Sequence, residues 1–134
     1  MFTALYAVGF AILPYAYISK YFHLVGDGKV KGRLYDMGVY PTAIPTTGEK
    51  CIVGELYAIK SPAEFSYAIE QLDDYEGLNV EAGETPEYKR ELTTVYCNGQ
   101  EYTSWVYWFN GAVDGLNEIE SGDVLQYMQQ KNKS

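Results

Sequence analysis

The sequence predicts an α+β fold in which a small mixed β-barrel or strongly bent sheet carries one or two packed helices. Three observations favour this class. Asn98-Gly99 separates two runs rich in aromatic and β-branched residues, which is a strong hairpin signal. Lys29 to Leu34 and Cys51 to Lys60 are further strand candidates. Ser61 to Asp73 carries apolar residues at helical spacing. Closing such a sheet makes a cleft in which a ligand can be buried.

Composition and charge limit the possible functions. The chain has 134 residues, enough for a single domain spanning 1–134 with its own hydrophobic core. Hydrophobic residues make up 47% of it, which indicates a globular protein rather than a disordered one. The net charge of −8 argues against nucleic acid and anionic membrane surfaces as partners, because both attract clustered Lys and Arg. The 14 tyrosines suit strand positions, and some could line a cleft with hydroxyl donors.

The apolar run from Phe2 to Ile18 differs from a signal peptide or a membrane span. It is too short to cross a bilayer as one helix, it contains Gly9 and Pro14, and no basic residue precedes it. We expect a buried first strand, followed by a turn and an irregular or helical segment. We therefore expect a cytoplasmic location and no membrane partner.

Turn-forming and polar residues divide the remainder of the chain. Pro41 to Gly48 predicts a loop between the two strand candidates. Gly26-Asp27-Gly28 and Gly111 to Gly115 lack a dinucleotide or phosphate-loop pattern and predict turns. The polar stretch Gln126 to Ser134 is expected to fray.

The hairpin signal also predicts a register. A two-residue turn joins Glu91–Cys97 to Gln100–Phe109. The resulting pairs are Cys97 with Gln100, Leu92 with Trp105 and Arg90 with Tyr107. Because Leu92, Trp105 and Tyr107 then share one face, that face is expected to line a core or a cleft.

The helix candidate has a marked start and an acidic end. Ser61, Pro62 and Glu64 form a capping-box pattern. The expected packing face is formed by Phe65, Ala68, Ile69 and Leu72. Glu76 follows the last turn, where the helix dipole and any shielding from water both raise the pKa of a carboxyl. Such a group suits a general acid or base near neutral pH, and the alternative is a solvated acidic turn without function.

Other kinds of site have little support. His23 is the sole histidine and has no serine or cysteine motif beside it, so a hydrolytic triad is not indicated. The acidic turn Asp73–Glu76 offers too few oxygen ligands for a hard cation and lacks calcium-loop spacing, so no metal site is expected. Cys51 and Cys97 are not spaced as zinc ligands and are expected to be buried or half-buried thiols.

A series of short motifs occurs in one order along the chain. The series is Gly32 to Gly38, Tyr40-Pro41, Val53 to Tyr57, Leu72 to Gly77, Tyr88-Lys89-Arg90, Trp105 to Trp108 and Ile119 to Asp123. Each motif alone is unspecific. Their order and spacing resemble the γ-glutamylcyclotransferase-like family, especially its small bacterial branch, and are similar to γ-glutamylamine cyclotransferase.

The resemblance implies an acyltransferase that releases 5-oxoproline. In such enzymes the α-amino group of a γ-glutamyl amine, or of a related γ-glutamyl compound, attacks its own γ-carbonyl. The products are 5-oxoproline and a free amine. The resemblance implies that Glu76 takes the proton from the amine and returns one to the leaving nitrogen. It implies no metal and no organic cofactor.

The resemblance also implies a substrate-binding turn, at which this chain departs from the family. The family's first strand ends in Tyr-Gly-Ser/Thr-Leu, whose backbone N–H groups face the substrate carboxylate. The matching residues here are Tyr6, Ala7, Val8 and Gly9. Alanine adds strain and bulk if the first glycine must adopt positive φ or approach the ligand closely. Alternatively, Gly9 marks a shifted turn.

Tyrosine hydroxyls are expected to complete the site around Glu76. They would come from Tyr6, Tyr88 or Tyr107. Asp73 and Asp74 are expected to be more exposed or to bond to the backbone.

Three interpretations of the sequence stay open. The chain is an active cyclotransferase-like enzyme, or it has the same fold with weak or lost catalysis and acts as a small-molecule binding or interaction module. The third is an unrelated β-barrel domain. The substrate, the leaving amine and the oligomeric state are not indicated by the sequence.

Overall fold

The computed structural model describes residues 3–7, 15–38, 41–75, 78 and 83–132. These residues form a seven-stranded sheet and three α-helices. The strands are β1 (Ala4–Ala7), β2 (Phe22–Asp36), β3 (Pro41–Pro45), β4 (Cys51–Ile59), β5 (Tyr88–Cys97), β6 (Gln100–Phe109) and β7 (Asn117–Ile119). The α-helices are α1 (Tyr15–Tyr21), α2 (Phe65–Tyr75) and α3 (Val124–Asn132).

Five of the strands close into a barrel. Neighbouring strands follow the order β2, β4, β1, β6 and β5, and β5 pairs in turn with β2. The barrel is mixed because β1 runs parallel to β6, whereas the other pairings are antiparallel. β3 and β7 pair with the second half of β2 and extend the sheet past the barrel. The predicted fold class is confirmed.

The long strand β2 bends so that it can pair on both sides. Its register with β4 shifts between Leu24 and Gly26, which is a β-bulge. A Cβ at position 28 would lie 2.9 Å from Cγ1 of Val95, so glycine allows the close approach of β5. The prediction of a turn at Gly26-Asp27-Gly28 is therefore wrong, because these glycines bend and close a strand.

The barrel interior is a largely apolar core to which each of the five strands contributes. Its fully buried members include Tyr6, Val30, Ile52, Leu56, Val95, Val106 and Trp108. Inside it the Tyr6 hydroxyl lies 2.9 Å from the carbonyl oxygens of Gly28 and Ile52, to which it donates. One side chain of β1 thus links the backbones of β2 and β4 across the core.

A second apolar cluster covers the outer face of β1, β4 and β6. Helix α2 contributes the four residues that the sequence predicted, Phe65, Ala68, Ile69 and Leu72. Leu5, Tyr57 and Tyr107 meet them from the strands, and Ile18 of α1 joins from the side. The helix is thus held on the barrel by its one apolar face. We refer to this set as the outer cluster.

The predicted hairpin is confirmed in register and turn. Asn98 and Gly99 both have positive φ, 52° and 75°, as a type I′ turn requires. All three predicted pairs are present in the β5–β6 ladder. Trp105 and Tyr107 pack in or against the outer cluster, whereas Leu92 on the same face is exposed. The opposite face of the hairpin lines the barrel interior.

Three local predictions differ from the structure. Ser61 makes no side-chain capping bond, because its carbonyl accepts the Glu64 N–H at 2.9 Å and the helix starts with a 3₁₀ turn. The loop expected at Pro41–Gly48 begins with β3, whose prolines sit at the ends of a strand that pairs with β2. The C-terminal stretch expected to fray belongs to α3 as far as Asn132.

Asp36 at the end of β2 holds α3 in place. Its carboxylate accepts hydrogen bonds from the Tyr127 hydroxyl, from Lys131 Nζ at 2.9 Å and from the Gly38 N–H at 2.7 Å. The hydrogen bond from Tyr127, followed by those from Lys131 and Gly38, lowers the pKa of Asp36 to about 2. These contacts tie α3 to the end of β2, and Val124, Tyr127 and Met128 of the same helix pack in or against the barrel core.

We expect Tyr6→Phe to destabilise the barrel, because it removes the buried donor to the Gly28 and Ile52 carbonyls. The loss should be about 1–2 kcal/mol in the free energy of unfolding, measured with urea. Tyr96→Phe is the matched control, since the Tyr96 ring is 42% exposed on the same barrel. Equal losses in the two variants would contradict a structural role for the Tyr6 hydroxyl.

We expect Asp36 to make folding stability depend on acid pH. Its folded pKa lies below the ordinary value of 3.8, so its stabilisation is present above that value and is lost as pH falls through about 2. Asp36→Asn should cost on the order of 1–2 kcal/mol near neutral pH, allowing for solvent screening, and the difference from wild type should vanish toward about pH 2. This prediction is checked by measuring unfolding free energies across this pH range, with the variant of exposed Asp114, Asp114→Asn, as control. A difference between wild type and Asp36→Asn that does not change with pH would contradict the role of Asp36 ionisation.

Candidate active site

The C-terminal end of α2 is fixed to the sheet through Asp73. Arg90 donates from Nε to Oδ1 at 2.8 Å and from Nη2 to Oδ2 at 2.9 Å. The Tyr107 hydroxyl donates to Oδ1 at 2.7 Å. The Asp73 and Arg90 side chains are only 15% and 20% exposed, so this two-point ion pair is largely shielded from water. Asp73 thus differs from the expectation that it would be exposed or backbone-bonded, whereas Asp74 is exposed.

The sequence accounts for this contact in two steps. Asp73 follows Ile69 by four residues, so it lies on the face of α2 that packs against the barrel. The hairpin register sets Arg90 opposite Tyr107. The guanidinium carbon of Arg90 also lies 4.2 Å from the ring centroid of Trp105, a stacked cation–π contact. The donors to Asp73 are thus held in place by contacts within the sheet itself.

Strand β1 ends at the same part of the sheet. Its parallel register with β6 sets Leu5 opposite Trp105 and Tyr6 opposite Val106. Ala7 comes next along the strand, and it is buried with Tyr107 in the outer cluster. The chain segments that follow β1 and α2 therefore start from neighbouring points on one face of the barrel.

Gly54 allows β4 to approach the end of β1 closely. A Cβ at this position would lie 2.4 Å from the carbonyl oxygen of Ala7 and 2.7 Å from the ring and hydroxyl of Tyr6. No side chain fits such a gap without moving β1. Glycine is required here for the position of the strand end.

The three candidate tyrosines have different surroundings. Burial inside the barrel raises the pKa of Tyr6 well above its ordinary value, so its hydroxyl remains a neutral donor. Tyr88 is buried at the start of β5, where it accepts from the Thr42 hydroxyl at 3.3 Å and packs edge-on against Phe109. Tyr107 contacts the end of α2 through Asp73.

A cavity of about 340 Å³ is lined by residues of β2, β4 and the start of α3. Its lining residues are Asp27, Val53, Gly54, Glu55, Asp123, Val124 and Leu125. Glu55 stands opposite Ala7 in the ladder and accepts from the Tyr57 hydroxyl at 2.9 Å. The described lining of the cavity thus combines carboxylates with aliphatic side chains.

The remaining predictions concern individual residues, a metal site, the two cysteines and membrane crossing. Glu76, Val8 and Gly9 lie outside the described residues. Within the described part of the chain, no three His, Cys, Asp or Glu side chains gather where they could hold a metal ion. Cys51 is half-buried and Cys97 buried, as predicted. The helices of residues 15–38, 41–75 and 83–132 include none with the length and apolar character needed to cross a membrane.

Comparison with known proteins identifies the family. The family model described as gamma-glutamyl cyclotransferase, AIG2-like, matches residues 13–126. The chain belongs to this family. The gamma-glutamylcyclotransferase family protein YtfP of Escherichia coli K12 is 35% identical over 104 residues, which cover 76% of each protein. The corresponding protein of Citrobacter rodentium is 32% identical over 104 residues, 76% of this chain and 75% of that protein.

Solved structures share the fold. The solution structure of ytfP from E. coli covers 93% of this chain and 98% of that one, with a TM-score of 0.65 and 27% identity. The crystal structure of YkqA from Bacillus subtilis covers all of this chain with a TM-score of 0.72 and 18% identity. This chain spans 44% of the YkqA length, and at that identity the likeness concerns the fold alone.

The ion pair of Asp73 with Arg90 is a feature of the candidate site that the sequence did not predict. Two signals for it were present in the sequence. The spacing of Asp73 from Ile69 and Leu72 places it on the packing face of α2, and the hairpin register places Arg90 beside Tyr107. The missing information was which sheet residues lie under the last turn of the helix, and this depends on tertiary packing.

Proposed function

We propose that this chain is a γ-glutamylcyclotransferase that converts a γ-glutamyl amine, or a related γ-glutamyl compound, to 5-oxoproline and a free amine. Glu76 is the proposed general acid and base. The strongest support is that the end of strand β1 and the end of helix α2 both contact the same part of the barrel surface. Ala7, the second residue of the proposed substrate-binding turn, lies in one apolar cluster with Tyr107. Asp73, which precedes Glu76 in the sequence, accepts a hydrogen bond from the Tyr107 hydroxyl. Family membership supplies the reaction class.

The proposed reaction needs one proton carrier and a fixed substrate conformation. The α-amino nitrogen of the substrate forms a bond to its own γ-carbonyl carbon, and the bond from that carbon to the leaving nitrogen breaks. The Glu76 carboxylate takes a proton from the attacking amine and delivers it to the leaving nitrogen, so charge and protons balance. Holding the amine near the carbonyl contributes a further large part of the rate acceleration.

The proposed turn at Tyr6, Ala7, Val8 and Gly9 would receive the substrate carboxylate. Backbone N–H groups in a tight turn bind anions well. Ala7 is 6% exposed, so its methyl group occupies space that glycine would leave open. This substitution favours one alternative function, a catalytically weak or inactive member of the fold that binds small molecules.

We expect Glu76→Gln to reduce 5-oxoproline release by a factor on the order of 10²–10⁴, the usual contribution of a general acid–base group. The assay is a panel of γ-glutamyl amines and γ-glutamyl dipeptides with the purified protein. Glu70→Gln, at an exposed position of α2, is the matched control and should retain activity. Equal turnover by wild type and Glu76→Gln would exclude Glu76 as the base.

We expect the double change Ala7→Gly and Val8→Ser to increase turnover, because it restores the family's glycine and hydroxyl at the substrate-binding turn. The gain should be clearest in kcat/KM, which includes substrate binding. Ala4→Gly, in the same strand, controls for weakening of β1. If wild type binds 5-oxoproline but turns over no substrate, and the double variant is also inactive, the binding-module function is favoured.

A further inference from the structure

We propose that Asp73, Arg90 and Tyr107 are positioning residues that hold the chain segment carrying Glu76. This inference rests on the function proposed above, because it takes Glu76 as the group to be positioned. Glu76 is three residues after Asp73 in the sequence. The three residues touch neither substrate nor reacting atoms in this role and act through the end of α2.

We refer to the contacts of Asp73 with Arg90 and Tyr107 as the anchor. These contacts fix both the position and the orientation of the Asp73 carboxylate. The two parallel N–H···O bonds from Arg90 fix the plane of the Asp73 carboxylate. The Tyr107 hydroxyl fixes the same Oδ1 from a second strand. Trp105 lies under the guanidinium and limits the freedom of Arg90. Three neighbouring positions of one hairpin therefore orient a single helix residue.

The backbone of Asp73 ties down the other end of the same segment. Its carbonyl accepts the Leu78 N–H at 3.0 Å. The Leu78 side chain packs against the outer cluster. Residues 73 and 78, on either side of Glu76 in the sequence, are thus linked by a hydrogen bond. In the proposed role, a shift of the Asp73 carboxylate alters both of these flanking positions.

Asp73 is poorly suited to be the base itself. Oδ1 already accepts two hydrogen bonds and Oδ2 accepts one, all from protein donors. The acid–base role therefore falls to another carboxylate, and Asp73 is left with a role in orientation.

The chain offers a matched ion pair for the test. Arg33 donates to Glu118 from Nε at 3.2 Å and from Nη2 at 2.9 Å, which is the same two-point geometry. This pair joins β2 to β7, away from α2. Arg33→Lys therefore removes an equivalent two-point contact between a guanidinium and a carboxylate without changing the end of α2.

The kinetic test compares Arg90→Lys, Asp73→Asn and Tyr107→Phe with Arg33→Lys and wild type. Arg90→Lys and Asp73→Asn should lower kcat roughly 10- to 100-fold, as displacement of a catalytic group by about 1 Å does, with a much smaller change in KM. Tyr107→Phe removes one bond and should have an intermediate effect. Arg33→Lys should leave kcat near the wild-type value. If Asp73→Asn fails to fold, the other two variants decide.

A second measurement is independent of turnover. NMR follows the exchange rate of the Leu78 amide hydrogen and the titration of the Glu76 carboxyl in the same proteins. Arg90→Lys should speed Leu78 exchange by about tenfold or more, because the segment opens locally. The Glu76 titration midpoint should also move in Arg90→Lys and remain constant in Arg33→Lys.

The two readouts separate failure of the inference from failure of the proposed function. Faster exchange and a moved titration with a reduced kcat support the anchor. Faster exchange with unchanged kcat overturns it, and so does unchanged exchange. If wild type converts no γ-glutamyl compound, the proposed function fails, and the NMR result alone supports or overturns the anchor of this segment.

Discussion

Closure of the barrel through β2 is the constraint on which the rest of the structure depends. β2 pairs with β4 on one side and with β5 on the other, and its second half adds β3 and β7. The bulge near Gly26 and the missing side chain at Gly28 make this double pairing possible. Once β2 closes the ring, the short strand β1 is confined between β4 and β6. Its end, and the outer face on which α2 packs, then have fixed places.

The two faces of β1 have different roles. One face stabilises the barrel interior, and the other lies in the outer cluster beside the candidate site. Tyr6 points into the barrel and bonds to Gly28 and Ile52, whereas Leu5 and Ala7 point outward into the cluster under α2. A strand of four residues therefore takes part in both apolar cores. Because β1 and α2 share the outer cluster, loosening either one would move the end of the other. The separation of roles follows from the two-residue period of a strand.

Local signals predicted the hairpin and the packing face of α2, because turn chemistry and apolar spacing are written in neighbouring residues. They failed where distant residues decide the structure. Helix α3 is held by Asp36, which is far away in sequence and accepts from Tyr127 and Lys131, and by packing of Val124 in the core. At the candidate site, family resemblance indicated Glu76 and the turn after Tyr6. The anchoring of Asp73 by Arg90 depends on how α2 lies on the sheet and could not be predicted.

In the proposed function, Asp73 and Glu76 have different roles although they are three positions apart, and such pairs of unlike carboxyl groups recur in acid–base sites. Asp73 is matched by Arg90, so the pair adds no net charge to its surroundings. This pairing also removes an uncompensated guanidinium from the end of α2, where it would hold any nearby carboxyl in its charged form. On the proposal above, a neutral ion pair holds the end of α2 without adding a net positive charge that would oppose proton uptake by a general base. An apolar anchor would lack the two-point directionality, and a lone cation would lower the basicity of the group it positions.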